Sequence, residues 1–544
     1  MLKERALIFF TLAAVAFIAY RNCFNIFIPG DNYSLLHIFE QGGMQGLLED
    51  LQIGAPYFVA YPLLYFLYQC FGINPAYWMI TAITLHVFNS FLVYIISNQF
   101  LHSVFKEKKN MISFFPALIF LISPYQTEEV LWTAINFRWL FHAFVTLLGI
   151  YYLTQYFGSN TRKNIFLIHF LFLLGLFSYE FTLICPLIYA ALFLLFRRLN
   201  ATGRSPAQFF KKIIFPQAIF ILFYFLLCKF LSGHWLWHAG AVGDIFQTSD
   251  YSKTLLKYFA KFFLFYRYLP LGETDALIRQ FFTNSMAITL MFVIMLAALA
   301  FFLWKITKTK KETGYFLAVM FLCFIISLLP VLPLDSSFIK HIYPDRYGYL
   351  PSVFFYIFLV FSVYFLFRKI AIPFLAGYAV LCWVLLMQTI PVWNSVNDRC
   401  NQLIASYKPL LAFEKVYVLN IPAYHLGITA FRSALSESMY FKYDGYPIEK
   451  MSIISGCYEN TPGDSLIAVK ISGRHIEVVG SKKLTPFFST IGGWAKSYET
   501  EEYSVIFDTV GCSYTLDFKK EIPDNSVFIY AVNGEWRIAK QPLQ

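Results

Sequence analysis

The chain has 544 residues, of which 58% are hydrophobic and only 14% charged, with a mean hydropathy of +0.57. A water-soluble domain cannot hide that much apolar surface, so lipid must be the solvent for most of it. The formal charge of +11 lies in short Lys/Arg clusters between apolar runs. That distribution follows from membrane topology and excludes nucleic acid from the expected partners.

The first apolar run covers about residues 6–28. Ala14-Val15-Ala16 resembles a signal-cleavage site, but the run continues past it, which favours an uncut helix with residue 29 outside. Further spans are predicted at about 76–101, 111–123, 130–157, 164–178, 181–196, 213–232, 283–306, 314–333, 350–367 and 370–391. Three are well short of the ~20 residues a full crossing uses, so charge arbitrates. Lys106, Lys108 and Lys109 precede the 111–157 stretch, and Arg162 and Lys163 follow it. The stretch is therefore a hairpin with both ends cytoplasmic. Residues 164–196 fold the same way, with Arg197 and Arg198 at the far end and Glu180 at the tip. Segments 197–212, 305–311 and 368–369 fall inside; 29–75, 233–282 and 334–349 fall outside. The result is about eleven spans, N-terminus in and C-terminus out. The 57–71 run is predicted to be an interfacial or re-entrant helix, because counting it would reverse every later loop.

After about residue 393 the pattern changes. Residues 466–471 and 474–479 read as a hairpin around Ser472-Gly473. So do 527–532 and 535–540 around Asn533-Gly534, a pair that favours a type I′ turn. Residues 426–440 read as a helix. The fold class is thus a polytopic all-α membrane protein, domain 1–395, with a C-terminal soluble α+β domain, 396–544. Of the nine Cys, most lie inside apolar runs. Cys457 and Cys512 fall in the tail, where an oxidising space would let them pair.

Three constellations carry ionisable groups at the outer ends of spans, where burying them is costly. Gly30-Asp31-Asn32 follows the first span and also suits a plain turn. Ser123 to Trp132 holds Glu128 and Glu129 at what also reads as a capped helix start. Arg138, two turns further on in an apolar run, needs a partner or a wet cavity. Lys340 to Ser352 holds Lys340, His341, Asp345 and Arg346. These groups suit an interfacial anchor or a lipid phosphate, which Arg grips with a bidentate fork. His37, His86, His234 and His238 show no metal-ligand spacing.

In order and spacing these elements resemble the GT-C superfamily of polyprenyl-phosphate-sugar-dependent glycosyltransferases. The likeness is to the membrane half of protein O-mannosyltransferases and of tetratricopeptide-repeat-containing O-mannosyltransferases, and covers about residues 1–400. The family's acidic motif falls on Asp31. Its His-Pro-x-His-x-Glu-x-Val-x-Trp element falls on Ser123 to Trp132, which puts its Glu at Glu128. Its Ser-Lys-Glu element falls on Ser178-Tyr179-Glu180, and its Glu-Arg-Tyr-x-Tyr-Leu-Pro-Ser element on Asp345 to Ser352. Tyr61-Pro62-Leu63 and Trp393-Asn394-Ser395 match shorter elements. Asn32 replaces a second Asp, Ser123 and Gln126 replace two His, Tyr179 replaces Lys, and no tetratricopeptide repeats follow.

The resemblance implies an inverting transfer from a polyprenyl-phosphate-linked sugar to an extracytoplasmic acceptor hydroxyl at a bacterial inner membrane. It gives Asp31 the base role and Glu128 a positioning role. Arg346, helped by Lys340 and His341, would hold the phosphate; Arg138 would neutralise it or pair with Glu180. A divalent cation is left open. Competing expectations are a transporter or flippase, a non-catalytic membrane subunit, and a polysaccharide polymerase or ligase. The last class relies on arginines in a large outer loop, and loop 233–282 has only Arg267 and Arg279.

Overall fold

A computed structural model describes residues 2–53, 56–105, 110–159, 161–199, 202–235, 251–268, 285–332, 345–432, 434–459, 467–480, 487–488, 496–508 and 513–539. The chain divides into two compact units. One comprises residues 1–24, 44–340 and 344–389, the other 25–43, 341–343 and 390–544.

The first unit is helical. In chain order it contains α1 (Leu2–Tyr20), the latter part of α2 (Gly30–Ile53), α3 (Ala60–Phe71), α4 (Pro75–Phe105), α5 (Asn110–Ile122), α6 (Thr127–Leu131), α7 (Thr133–Gly158), α8 (Arg162–Leu176) and α9 (Cys185–Arg198). Then follow α10 (Pro206–Ser232), which includes a π-helical turn at Phe210–Ile214, α11 (Tyr251–Leu264), α12 (Ser285–Thr309), α13 (Lys311–Leu328), α14 (Tyr349–Phe367) and the first half of α15 (Ala371–Ser406). Helices apolar on every side satisfy their own backbone groups, which is what a hydrocarbon surround demands.

Among the described residues seven helical segments are long and apolar enough to cross a membrane: Pro75–Ser103, Thr133–Gly158, Glu180–Arg198, Pro206–Ser232, Lys311–Leu328, Asp345–Phe367 and Ala371–Ala412. They fall on seven of the expected spans. Helices also occupy the other four, but α5 and α8 have only 13 and 15 residues. The first helix stops at Tyr20, short of residue 28; Arg21 and Asn22 form a turn, and Ile26 to Ile28 continue as buried, non-helical chain. The 57–71 run yields α3, at 12 residues too short for a crossing.

Helices α4, α5, α7 and α14 pack together at the centre. The most apolar windows of Asp345–Phe367 and Thr133–Gly158 are 83% and 78% buried, against 22% for Pro206–Ser232. The latter helix therefore gives most of its apolar side chains to the surround. Aromatic contacts fill the centre: Phe105 lies 4.5 Å from Phe365, and Phe316 5.1 Å from Phe361.

The second unit is α+β. Its larger sheet runs β11 (Glu535–Ile538), β10 (Ser526–Val532), β1 (Lys415–His425), β2 (Ile428–Thr429), with β3 (Met451–Ile453) and β4 (Gly456–Glu459) also pairing β1. Strands β10, β3 and β4 are parallel to β1, which is buried along nearly its whole length, as parallel strands require. The second sheet is antiparallel, β5 (Ile467–Ser472), β6 (His475–Gly480), β9 (Ser513–Phe518), β8 (Tyr503–Phe507), β7 (Ser497–Glu499). Both expected hairpins form, as β5–β6 and β10–β11. Asn533 and Gly534 take φ of 50° and 87°, the two positive values that a type I′ turn needs. The helix expected at 426–440 is confined to α16 (Leu435–Lys442); Leu426-Gly427 turns the chain into β2. Cys457 is a buried free thiol that donates to the Ile421 carbonyl, and Cys512 lies outside the described residues.

Residues 25–43 join this unit through long-range bonds. The Gly30 N–H donates to the Ala430 carbonyl at 2.8 Å, the Phe27 N–H to Asn397 Oδ1 at 2.9 Å, and the Ser34 hydroxyl to Glu437 Oε1 at 3.3 Å. In the same unit Glu459, with no side-chain exposure, takes Arg399 at 2.6 Å and His425 at 2.9 Å. Removing one partner of such a group strands the other charge in a dry site. Glu459→Ala is expected to cost about 3–5 kcal/mol, read as early amide exchange in β1 and β4 of the full-length protein.

Candidate functional site

The site is built where α6 meets the 3-10 turn Asp345–Gly348 that opens α14. Ser123 caps the preceding turn, its hydroxyl accepting from the Tyr125 N–H at 3.3 Å. A single helical turn then carries Glu128 and Glu129 inward, both buried. Glu128 clamps one residue twice: Oε2 accepts the Arg346 backbone N–H at 2.7 Å, and Oε1 accepts Arg346 Nη1 at 2.8 Å. The guanidinium lies 5.1 Å from the Trp132 ring and 4.9 Å from the Tyr347 ring. A planar, weakly hydrated cation between aromatic faces tolerates such burial better than an ammonium would.

A second ion group adjoins the first through the same turn. Asp345 accepts from Lys261 Nζ at 2.8 Å and from Arg267 Nη2. Lys261, at 2% exposure, comes from α11, and Lys257 is buried one helical turn earlier. Arg267 sits 4.9 Å above the Tyr125 ring. Gly348 allows this closeness: a Cβ there would lie 2.8 Å from the Phe262 ring.

Arg138 stacks over Tyr57 at 5.1 Å and Tyr179 at 5.5 Å, and the Tyr57 hydroxyl donates to Glu180 at 2.7 Å. Trp139 touches Tyr179 at 4.0 Å and Tyr347 at 5.3 Å. An aromatic ladder thus links the Arg138–Glu180 group to Arg346. Glu128, Arg346, Arg138 and Glu180, separate in sequence, form one network.

Asp31 belongs to the other unit. It is the second residue of α2, where its charge suits the helix N-terminus. Its carboxylate meets Arg432 at 2.6 Å, with side-chain exposures of 27% and 45%. A pair that open contributes little to stability. Lys340, His341 and Arg279 lie outside the described residues. Ser123 and Gln126, which stand where the resembled family has His, are committed to packing: Ser123 is bonded to the Tyr356 hydroxyl at 2.6 Å, and Gln126 donates to Ser352 at 2.8 Å. Among the described residues no group of three or more His, Cys, Asp or Glu could hold a metal ion.

From sequence, Glu129 stood only as a first-turn acid beside Glu128, and Lys257, Lys261 and the ionic role of Asp345 were not apparent. Two lysines four residues apart within Tyr251–Leu264 were the available signal, since they fall on one helix face. Both carboxylate oxygens of Glu129 are buried with no hydrogen-bond partner among the described residues. Burial pushes its pKa well above 4.5, and the neighbouring Glu128 charge pushes the same way. Burial also raises Glu128, to about 7, although Arg346 pulls it down. No family model matches the chain, and no curated protein matches it.

Glu129 retains a proton in the folded protein that it releases near 4.5 when unfolded. The folded state therefore binds the extra proton, and its stability falls as pH climbs from about 4.5 toward the raised value. Glu129→Gln removes that dependence. The variant is expected to melt higher than the parent at pH 8, with the difference vanishing near pH 4.5. An equal loss at both pH values would contradict a neutral Glu129.

Proposed function

We propose that this chain is a membrane glycosyltransferase that moves a sugar from a polyprenyl-phosphate donor to an extracytoplasmic hydroxyl on a glycan, lipid or protein. In this reading the chain crosses a bacterial inner membrane about eleven times, with the tail and the Glu128–Arg346 end of the bundle outside. Nucleotide sugars are cytoplasmic, so an outward-facing transferase needs a lipid carrier to present the sugar.

The observation that supports it most is the buried ion assembly. Lys261, Arg267 and Arg346 face the carboxylates of Glu128 and Asp345 in an otherwise apolar bundle. Charges kept out of water at such cost mark a functional site by default. This set is biased toward cations, as a phosphate would require. Glu128 fixes both the backbone and the fork of Arg346, which holds the guanidinium in one orientation, as binding a departing phosphate would require.

In the reaction the acceptor oxygen attacks the anomeric carbon. The bond from that carbon to the phosphate oxygen breaks, and the polyprenyl phosphate leaves with the electron pair. The acceptor proton passes to a carboxylate base. The family resemblance gives that role to Asp31, and gives Lys340 and His341 auxiliary roles on the phosphate. Arg138 is tied to Glu180 through Tyr57 and acts as a brace for the aromatic ladder. A non-catalytic membrane subunit is the second reading, favoured by the packing roles of Ser123 and Gln126.

Four measurements test the proposal. Mass spectrometry of the gently purified protein should find a polyprenyl-phosphate sugar; co-purification of ordinary phospholipid alone, with no transfer from any polyprenyl-linked donor, favours the subunit reading. Arg346→Lys should weaken donor binding roughly 10- to 100-fold, the value of about 1.5–3 kcal/mol for hydrogen bonds to a charged group, and leave acceptor affinity unchanged. Asp31→Asn should abolish transfer without loss of folded protein. The pH profile should also rise through about 7, where Glu128 becomes the carboxylate that clamps Arg346, and that limb should disappear in Glu128→Gln.

A further inference from the structure

One end of α9 and one end of α13 line a cavity of about 500 Å3 that the transferase reading does not use. Arg197 and Arg198 come from the last turn of α9, and Lys311, Glu312 and Tyr315 from the start of α13. Three cations converge on it against one carboxylate. The two helices pack on each other. Arg198 is anchored on the wall, Nη2 donating to the Tyr315 hydroxyl at 3.2 Å with the guanidinium 5.1 Å from that ring.

Position makes this more than a charged loop. Glu180–Arg198 and Lys311–Leu328 are both membrane-length apolar segments, and the cavity lies at their Arg198 and Lys311 ends. It therefore sits at the level where a bilayer's headgroups begin. It is also at the opposite end of its segment from Glu180, which makes it distinct from the site above. The first turn of α13 has no side-chain cap on its backbone N–H groups, and such N–H groups favour an anion. Leu194, 62% exposed on the lining, supplies apolar surface beside the cations, as the junction of headgroup and acyl chain would require. Basic pockets between helices at this depth are suited to phosphate headgroups.

We infer that the cavity is a phosphate-binding site whose ligand is the headgroup of an anionic membrane lipid, a free phosphate ester being the other source of the same chemistry. Glu312 sets its affinity: it opposes the anion, so its removal tightens binding while removal of a cation loosens it. A purely structural role would not produce opposite signs.

The test is native mass spectrometry of the full-length protein in an uncharged detergent, titrated separately with phosphatidylglycerol, phosphatidylcholine and inorganic phosphate. Phosphatidylglycerol should saturate one site that phosphatidylcholine fills poorly. Lys311→Gln and Arg198→Gln should each weaken it about fivefold, the scale for one basic side chain near an anionic surface. Glu312→Gln should strengthen it by a similar factor. The same pattern with inorganic phosphate but not with phosphatidylglycerol assigns the site to a soluble phosphate ester. Equal binding of the two lipids, or phosphatidylglycerol binding that none of the three variants changes and no phosphate binding, overturns the inference. None of these residues belongs to the Glu128–Arg346 network, so the outcome is independent of the transferase reading.

Discussion

The first unit is organised around one constraint: a carboxylate and a guanidinium held out of water must each find partners inside the protein. Glu128 meets it by taking two bonds from a single residue, one from the Arg346 backbone and one from its side chain. That choice fixes the turn at Asp345–Gly348, and the turn in turn fixes Asp345 against Lys261 and Arg267. Desolvation is expensive for every one of these ions, so each group must close around a partner. The aromatic rings that line them replace water with oriented quadrupoles. The same logic explains why Glu129, adjacent in sequence and equally buried, takes the other solution and keeps its proton.

Much of the architecture was legible because hydrocarbon permits few folds. Apolar length alone located the seven membrane-length helices found among the described residues, and Asn533-Gly534 announced its hairpin through the φ values only such residues accept easily. Glu128, Arg346, Arg138 and Glu180 were visible as charges in apolar company. Lys261 was not, because a lysine in a region read as an outer loop looks like any solvated lysine until a distant Asp345 is placed against it. Residues 25–43 were misleading in another way: their partners, Ala430, Arg432 and Glu437, lie some four hundred positions away. No local period encodes such contacts. The run 426–440 has the apolar spacing of a helix, yet Leu426-Gly427 with positive φ and the pairing demands of β1 turned its first part into a strand.

The second unit reaches order by another route. Its β1 is flanked by parallel strands on both sides and buried along its length, so it acts as the spine from which the smaller strands hang. The antiparallel sheet contributes Val478, Val505, Tyr514 and Leu516 to a common core with Tyr417 and Phe528. Asp31 and Arg432 are attached to this frame. Their geometry is thus set by β-sheet packing, whereas that of Glu128 and Arg346 is set by the helical bundle.

The separation in sequence between the partners of the dry ion groups bears on how the chain is made. Lys261 and Arg267 are synthesised 84 and 78 residues before Asp345, and Glu128 fully 218 residues before Arg346. Until the turn at 345–348 has emerged, none of these charges has the counter-ion it holds in the finished protein. Their final pairing therefore comes only after the segment that carries the turn has been made. The last-made partner closes both ion groups, so maturation of the site is tied to synthesis of the Asp345–Gly348 turn.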